Sequence, residues 1–78
     1  MTDWLPRDIV SPVSDVEHEA VRRVQRALGL RPTGDMDEAT RASLRGVQHL
    51  FKAPVTGVLD RGTAALVERL AYTYKETS

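Results

Sequence analysis

The chain has 78 residues, with 11 basic and 11 acidic side chains and no cysteine. This length corresponds to one domain. Without cysteine the chain has neither disulfides nor thiolate metal sites, and a net charge of zero argues against a nucleic-acid-binding module. Apolar runs stay well below the roughly 20 residues of a membrane-spanning helix. Because Asp3 and Pro6 interrupt the N-terminus, we expect no signal peptide and synthesis in the cytoplasm.

Residues 1–13 are predicted to form an extended arm outside the domain. Pro6 and Pro12 each remove a backbone donor and disfavour helical geometry in the preceding residue. Apolar residues without helical or strand periodicity indicate a segment that lies on a surface. The arm residues expected to bind a partner are Trp4, Leu5, Ile9 and Val10. For Trp4, docking on its own domain is an equally good interpretation, although tryptophan is enriched at interfaces.

The first helix is predicted to begin at Ser14, with Glu17 completing a capping box. Gly29 is well placed to end this helix in a left-handed conformation. The expected buried face consists of Val16, Ala20, Val21, Val24, Ala27 and Leu28.

A second helix is predicted to start near Asp37 and to stop before Pro54, and a third to start after Asp60. Each aspartate can accept hydrogen bonds from the amides of the first turn. The inward face of the second helix is Thr40, Leu44, Val47 and Phe51, flanked by Leu50. The inward face of the third is Thr63, Leu66, Val67, Leu70, Ala71 and Tyr74.

An internal repeat with a shift of 23 positions relates these elements. The matched residues fall on helix stripes, turn glycines and caps. The identities are Val24-Gln25 with Val47-Gln48, Thr33-Gly34 with Thr56-Gly57, Asp37 with Asp60, Thr40 with Thr63 and Ala42 with Ala65. Each copy is then a helix end, a glycine turn and a helix start, and the copies share the middle helix. We therefore predict an all-α, three-helix bundle over residues 14–75, followed by a frayed tail at 76–78.

The duplicated pattern resembles the peptidoglycan-binding domain family. It runs from Val21-x-x-Val24-Gln25 through Thr33-Gly34 and Thr40, and again through Gln48, Thr56-Gly57 and Thr63. The resemblance covers roughly residues 16–72. It implies a three-helix fold and, in typical members, non-covalent attachment of a partner hydrolase to murein.

Gln25 and Gln48 are interpreted as structural residues that hold the backbones of the turns, since buried amides usually bond to backbone groups. Their neighbours around the turns are the candidates for ligand binding. These candidates are Arg31, Thr33, Asp35 and Thr56.

Catalysis is not expected, because capping explains Asp37 and Asp60 and no group stands ready to activate a nucleophile. His18 and His49 lack further ligands at metal-binding spacing, so neither a metal nor a cofactor is predicted. The basic residues of the first helix and the turn after it are interpreted as a solvated surface. They are Arg22, Arg23, Arg26 and Arg31.

Three functions remain open. The first is a non-catalytic module that binds peptidoglycan near the glycine turns. The second is a structural subunit of a bacteriophage virion (head decoration, connector or tail component) whose arm grips a neighbouring capsid or tail protein. The third is a helix-turn-helix DNA binder, which net neutrality disfavours. A fold alone does not choose among them.

Overall fold

The computed structural model describes residues 3–77, and their side chains as far as residue 72. It contains three α-helices: α1 (Asp15–Ala27), α2 (Glu38–Leu50) and α3 (Arg61–Thr77). The predicted all-α, three-helix architecture is confirmed. Helix α3 packs against both α1 and α2. Its backbone includes residues 76 and 77 of the predicted tail, whereas Ser78 and the side chain of Tyr74 lie outside the described part.

All three helices begin at a side-chain cap. In each case an oxygen of the capping residue accepts a hydrogen bond from the backbone N–H three positions later, which satisfies one of the amides that a helix start leaves unpaired. The pairs are Ser14 with Glu17 at 3.3 Å, Asp37 with Thr40 at 2.9 Å and Asp60 with Thr63 at 2.7 Å. The cap residues thus fix where each helix starts.

Helices α1 and α2 end in the same type of left-handed turn. After α1, Gly29 has a φ of 74° and the N–H of Leu30 donates to the carbonyl of Gln25 at 2.8 Å. After α2 the corresponding left-handed residue is Lys52, with a φ of 59°. A side chain in this conformation is disfavoured by contact with the backbone, so the second copy of the turn is the more strained one.

The buried stripe of α1 differs from the one predicted. It includes two polar residues, Glu17 and Gln25, while Val16 is 61% exposed. Hydrophobicity alone placed Val16 inside, and this prediction is wrong because the stripe runs through Glu17, whose carboxylate accepts hydrogen bonds from Arg7 and from the N–H of Val13. Ala27 and Leu50, at the edges of their stripes, are also exposed.

The N-terminal arm packs on the bundle and completes its core. Leu5 and Ile9 are buried among residues of the helices. Ile9 pairs with Leu59 in an isolated antiparallel bridge, with N–H to O distances of 2.8 and 3.0 Å. Of the arm residues expected to bind a partner, these two are therefore enclosed in the core, and Val10 is exposed. The arm is part of the domain, because its apolar side chains cover the open side of a small bundle.

An ion pair fixes the arm to the start of α1. The Arg7 guanidinium donates two hydrogen bonds to the carboxylate of Glu17, at 2.7 and 2.8 Å. The same carboxylate accepts the N–H of Val13 at 3.1 Å, whereas the predicted capping box would use the N–H of Ser14. The hydrogen bonds from Arg7 lower the pKa of Glu17, against a smaller opposing effect of burial. The buried carboxylate is consequently held in its charged form.

Candidate functional site

The first glycine turn is organised around the side-chain amide of Gln25, which is fully buried. Its nitrogen lies within 3.0 Å of three acceptors: the hydroxyls of Thr33 and Thr40 and the carbonyl of Asp35. Its oxygen accepts the N–H of Gly34 at 2.9 Å. The two N–H groups of the Gln25 amide thus share three acceptor oxygens. The amide joins the end of α1, the turn and the start of α2.

The second glycine turn repeats this arrangement around Gln48. The amide nitrogen donates towards the hydroxyls of Thr56 and Thr63, at 3.1 and 2.8 Å, and towards the carbonyl of Val58 at 3.3 Å. The amide oxygen accepts the N–H of Gly57 at 3.0 Å. The repeat seen in the sequence is therefore a repeat of hydrogen bonds, and both glutamines hold turn backbones.

Gly34 and Gly57 are each covered by an arginine whose contact with the turn was not predicted from the sequence. The side chain of Arg22 lies over Gly34, and that of Arg45 lies over Gly57, so that a Cβ built on either glycine would meet a guanidinium nitrogen at 3.2 or 3.3 Å. The 23-residue shift maps Arg22 onto Arg45 and could have revealed this pair. The aliphatic stems of both arginines pack on the turns. Arg22, which was interpreted as solvated, therefore has a structural role.

The predicted ligand-binding residues have different surroundings. The hydroxyls of Thr33 and Thr56 are engaged by the glutamine amides and by the N–H two residues later. Arg31 and Asp35 are exposed, and the Asp35 carboxylate lies 3.6 Å from Nδ1 of His18. That nitrogen also lies 2.8 Å from the carbonyl oxygen of Gly34. The two threonine hydroxyls thus form hydrogen bonds within the turns, and the side chains of Arg31 and Asp35 are exposed beside the first turn.

A second candidate site lies around Trp4, between the arm, α1 and α3. The indole N–H donates a hydrogen bond to the Glu68 carboxylate, and the guanidinium carbon of Arg23 stands 5.0 Å from the ring centroid. One cavity of about 290 Å³ is lined by Trp4, Arg23, Glu68 and Tyr72 above small apolar side chains of α1 and α3. We call this cavity the Trp4 cleft.

A neighbouring cavity of about 390 Å³ continues from the Trp4 cleft along α1. It shares Trp4 and Arg23 with the cleft and adds Asp15, Val16 and Glu19. The exposed Val16 thus lines a depression beside the indole. Both cavities are near the lower end of the size range of small-molecule sites. Trp4 is positioned by its own domain, and it lines two cavities that each combine apolar and charged groups.

The described part of the chain offers no metal-binding cluster and no membrane-spanning helix. No group of three or more potential metal ligands occurs in this part of the chain. None of the helices, over the residues described, has the length and apolar character needed to cross a bilayer.

The first copy of the turn unit is the part of the chain that matches a known protein family. Residues 15–44 match the family model described as "Putative peptidoglycan binding domain". The match confirms the resemblance predicted from the sequence and supports a peptidoglycan-binding module at the level of the family. It covers α1, the Gln25 turn and the first half of α2. Neither the curated proteins nor the solved structures gave a significant match.

Proposed function

We propose that this chain is a non-catalytic module that binds peptidoglycan. The observation that supports it most is that the matched residues 15–44 include the complete Gln25 turn. The same hydrogen bonds recur around Gln48 beyond the match. A duplicated unit that uses its polar groups internally is a rigid scaffold, on which exposed residues can be presented to a polymer at low entropic cost.

Co-sedimentation with purified murein sacculi tests the proposal. We expect the protein to pellet with sacculi in a saturable manner, and soluble murein fragments to release it. An unrelated protein of similar size and zero net charge is the control for trapping. If the folded protein stays in the supernatant at every sacculus concentration, the module does not bind peptidoglycan.

A second candidate function is that of a subunit in a larger assembly, such as a phage virion. It is favoured by three exposed valines around the junction of the arm and α1, namely Val10, Val13 and Val16. Exposed apolar clusters are typical of protein interfaces. Leu5 and Ile9 are enclosed in the core, so the gripping surface would be these valines. Light scattering of the purified protein up to millimolar concentration, with a Val13→Asp variant as control, tests for self-assembly through this surface.

A further inference from the structure

The Trp4 cleft combines two aromatic side chains with small apolar ones. Trp4 comes from the arm and Tyr72 from α3, and Tyr72 is 63% exposed although it is large and mostly apolar. The other lining residues include small side chains such as Ala27 and Ala71. A cavity of about 290 Å³ with this lining has room for a ligand of about one ring.

We propose that the Trp4 cleft binds one neutral N-acetylated sugar ring of a glycan strand. The inference rests on the proposed function and assigns a ligand class to a surface outside the glycine turns. A pyranose ring has an apolar face of C–H groups, which packs on an aromatic ring, and an edge of hydroxyl and amide groups. The rings of Trp4 and Tyr72 match the face, and the charged groups of Arg23 and Glu68 match the edge.

The charges at the cleft favour a neutral ligand over an ionic one. The Arg23 guanidinium supplies only donors and the Glu68 carboxylate only acceptors, and the two opposite charges lie on the same cavity. In the neighbouring cavity, Asp15 and Glu19 face Arg23 and Arg26. An anionic peptide would meet carboxylates in both cavities, and a cation would meet arginines. A sugar hydroxyl both donates and accepts, so it can pair with either group.

The indole is held in position before a ligand arrives. Its N–H is bonded to Glu68, the Arg23 guanidinium lies over its ring, and the next residue, Leu5, is buried in the core. A ligand therefore does not have to order a loose arm, which removes part of the entropy cost of binding.

Trp4 is the only tryptophan, so the fluorescence of the protein reports on this cleft alone. The test is a titration of the full chain with the tetramer of N-acetylglucosamine, followed by tryptophan emission and by calorimetry. We expect a saturable change in emission. A free murein stem peptide is titrated in parallel and is expected to leave the emission unchanged.

Tyr72→Ala is the main variant, because an exposed side chain can be removed with little effect on folding. We expect it to weaken binding of the tetramer about tenfold, as the loss of one aromatic face implies. Tyr72→Phe should restore binding to within about threefold. The matched control is Leu50→Ala, a change at an equally exposed apolar residue of α2, which should leave the affinity unchanged.

The outcomes separate this proposal from the proposed function. If the protein pellets with sacculi but the tetramer gives neither heat nor an emission change, the sugar assignment is wrong and peptidoglycan binding stands. If the stem peptide instead changes the emission, or if Tyr72→Ala binds the tetramer like the original protein, the sugar assignment is equally overturned. If neither sacculi nor tetramer bind, both proposals fail.

Discussion

The side-chain nitrogen of Gln25 lies 2.9 Å from the hydroxyl of Thr40, a residue fifteen positions later in the chain. The same hydroxyl donates to the Asp37 carboxylate at 2.6 Å. One threonine oxygen therefore links the core of α1 to the cap of α2. The corresponding bond between Gln48 and Thr63, at 2.8 Å, links α2 to α3.

Replacing Thr40 by valine should destabilise the domain by about 1–2 kcal/mol. Valine has nearly the same shape but lacks the hydroxyl that accepts from the buried Gln25 amide and donates to the Asp37 carboxylate, and the loss of hydrogen bonds at a buried site has a cost of this size. Thr63→Val should have a similar effect because its surroundings repeat those of Thr40. Urea unfolding followed by circular dichroism measures the change. The control is Arg31→Ala, at an exposed position, which should change the free energy of unfolding by less than about 0.5 kcal/mol. Equal effects for all three variants would contradict the structural role of the threonines.

Adjacent arm residues should respond very differently to the loss of methyl groups. Ile9→Val removes one methylene from a fully buried side chain and should reduce the free energy of unfolding by about 1 kcal/mol. Val10→Ala removes two methyl groups from a side chain that is 59% exposed and should change it by less than about 0.5 kcal/mol. Thermal unfolding of both variants checks this. The reverse order of effects would show that the arm does not dock as described.

The left-handed residues after α1 and α2 should have opposite effects on stability when glycine and lysine are exchanged at each position. Lys52→Gly should stabilise the protein by about 1 kcal/mol, because glycine adopts the left-handed conformation without contact between a Cβ and the backbone. Gly29→Lys should destabilise it by a similar amount, for the same reason. Chemical denaturation of the two single variants gives both values. A Lys52→Ala variant, which keeps the Cβ, should not gain the stability of Lys52→Gly.

The Arg7–Glu17 pair should make stability depend on pH in the acid range. The pKa of Glu17 is lowered in the folded protein, chiefly by its hydrogen bonds with Arg7, from an ordinary value of 4.5. The contribution of the ion pair is therefore complete above about pH 4.5 and is lost as the pH falls through the lower folded pKa. We expect Glu17→Gln to be less stable than the original protein at pH 7, and this difference to shrink towards pH 3.

Denaturation curves across this pH range provide the measurement. Glu38→Gln is the control, because the side chain of Glu38 is also paired with an arginine but is 78% exposed. Its difference from the original protein should be small at every pH. A constant difference for Glu17→Gln would show that the ionised carboxylate is not what stabilises the arm.

Much of the fold follows from local sequence signals. Capping residues and turn glycines depend on neighbours within one or two helical turns, and together with the 23-residue repeat they predicted the three helices. The prediction failed where a distant partner decides the outcome. Glu17 is buried because Arg7 reaches it from the arm, and Val16 is consequently exposed, which no periodicity could show.

The sites were less predictable than the fold. The sequence marked Thr33 and Thr56 as ligand contacts because they flank the glycines, yet their hydroxyls are used by the glutamines. Trp4 stood out as an isolated aromatic residue with two interpretations. Its contacts with Arg23 and Glu68 come from residues 19 and 64 positions away, and such pairs are set by the way the arm docks on α1 and α3.

The bridge between Ile9 and Leu59 also governs the order in which the protein can form during synthesis. Some fifty residues separate the bridge partners. Ile9 therefore cannot form its backbone hydrogen bonds until Leu59, in the segment before α3, has left the ribosome. Residues 15–44 alone would expose the apolar side of α1 to water throughout that interval. The stretch that matches the family model therefore lacks the α3 surface on which α1 packs, and we expect the domain to fold as one unit once its last helix is available.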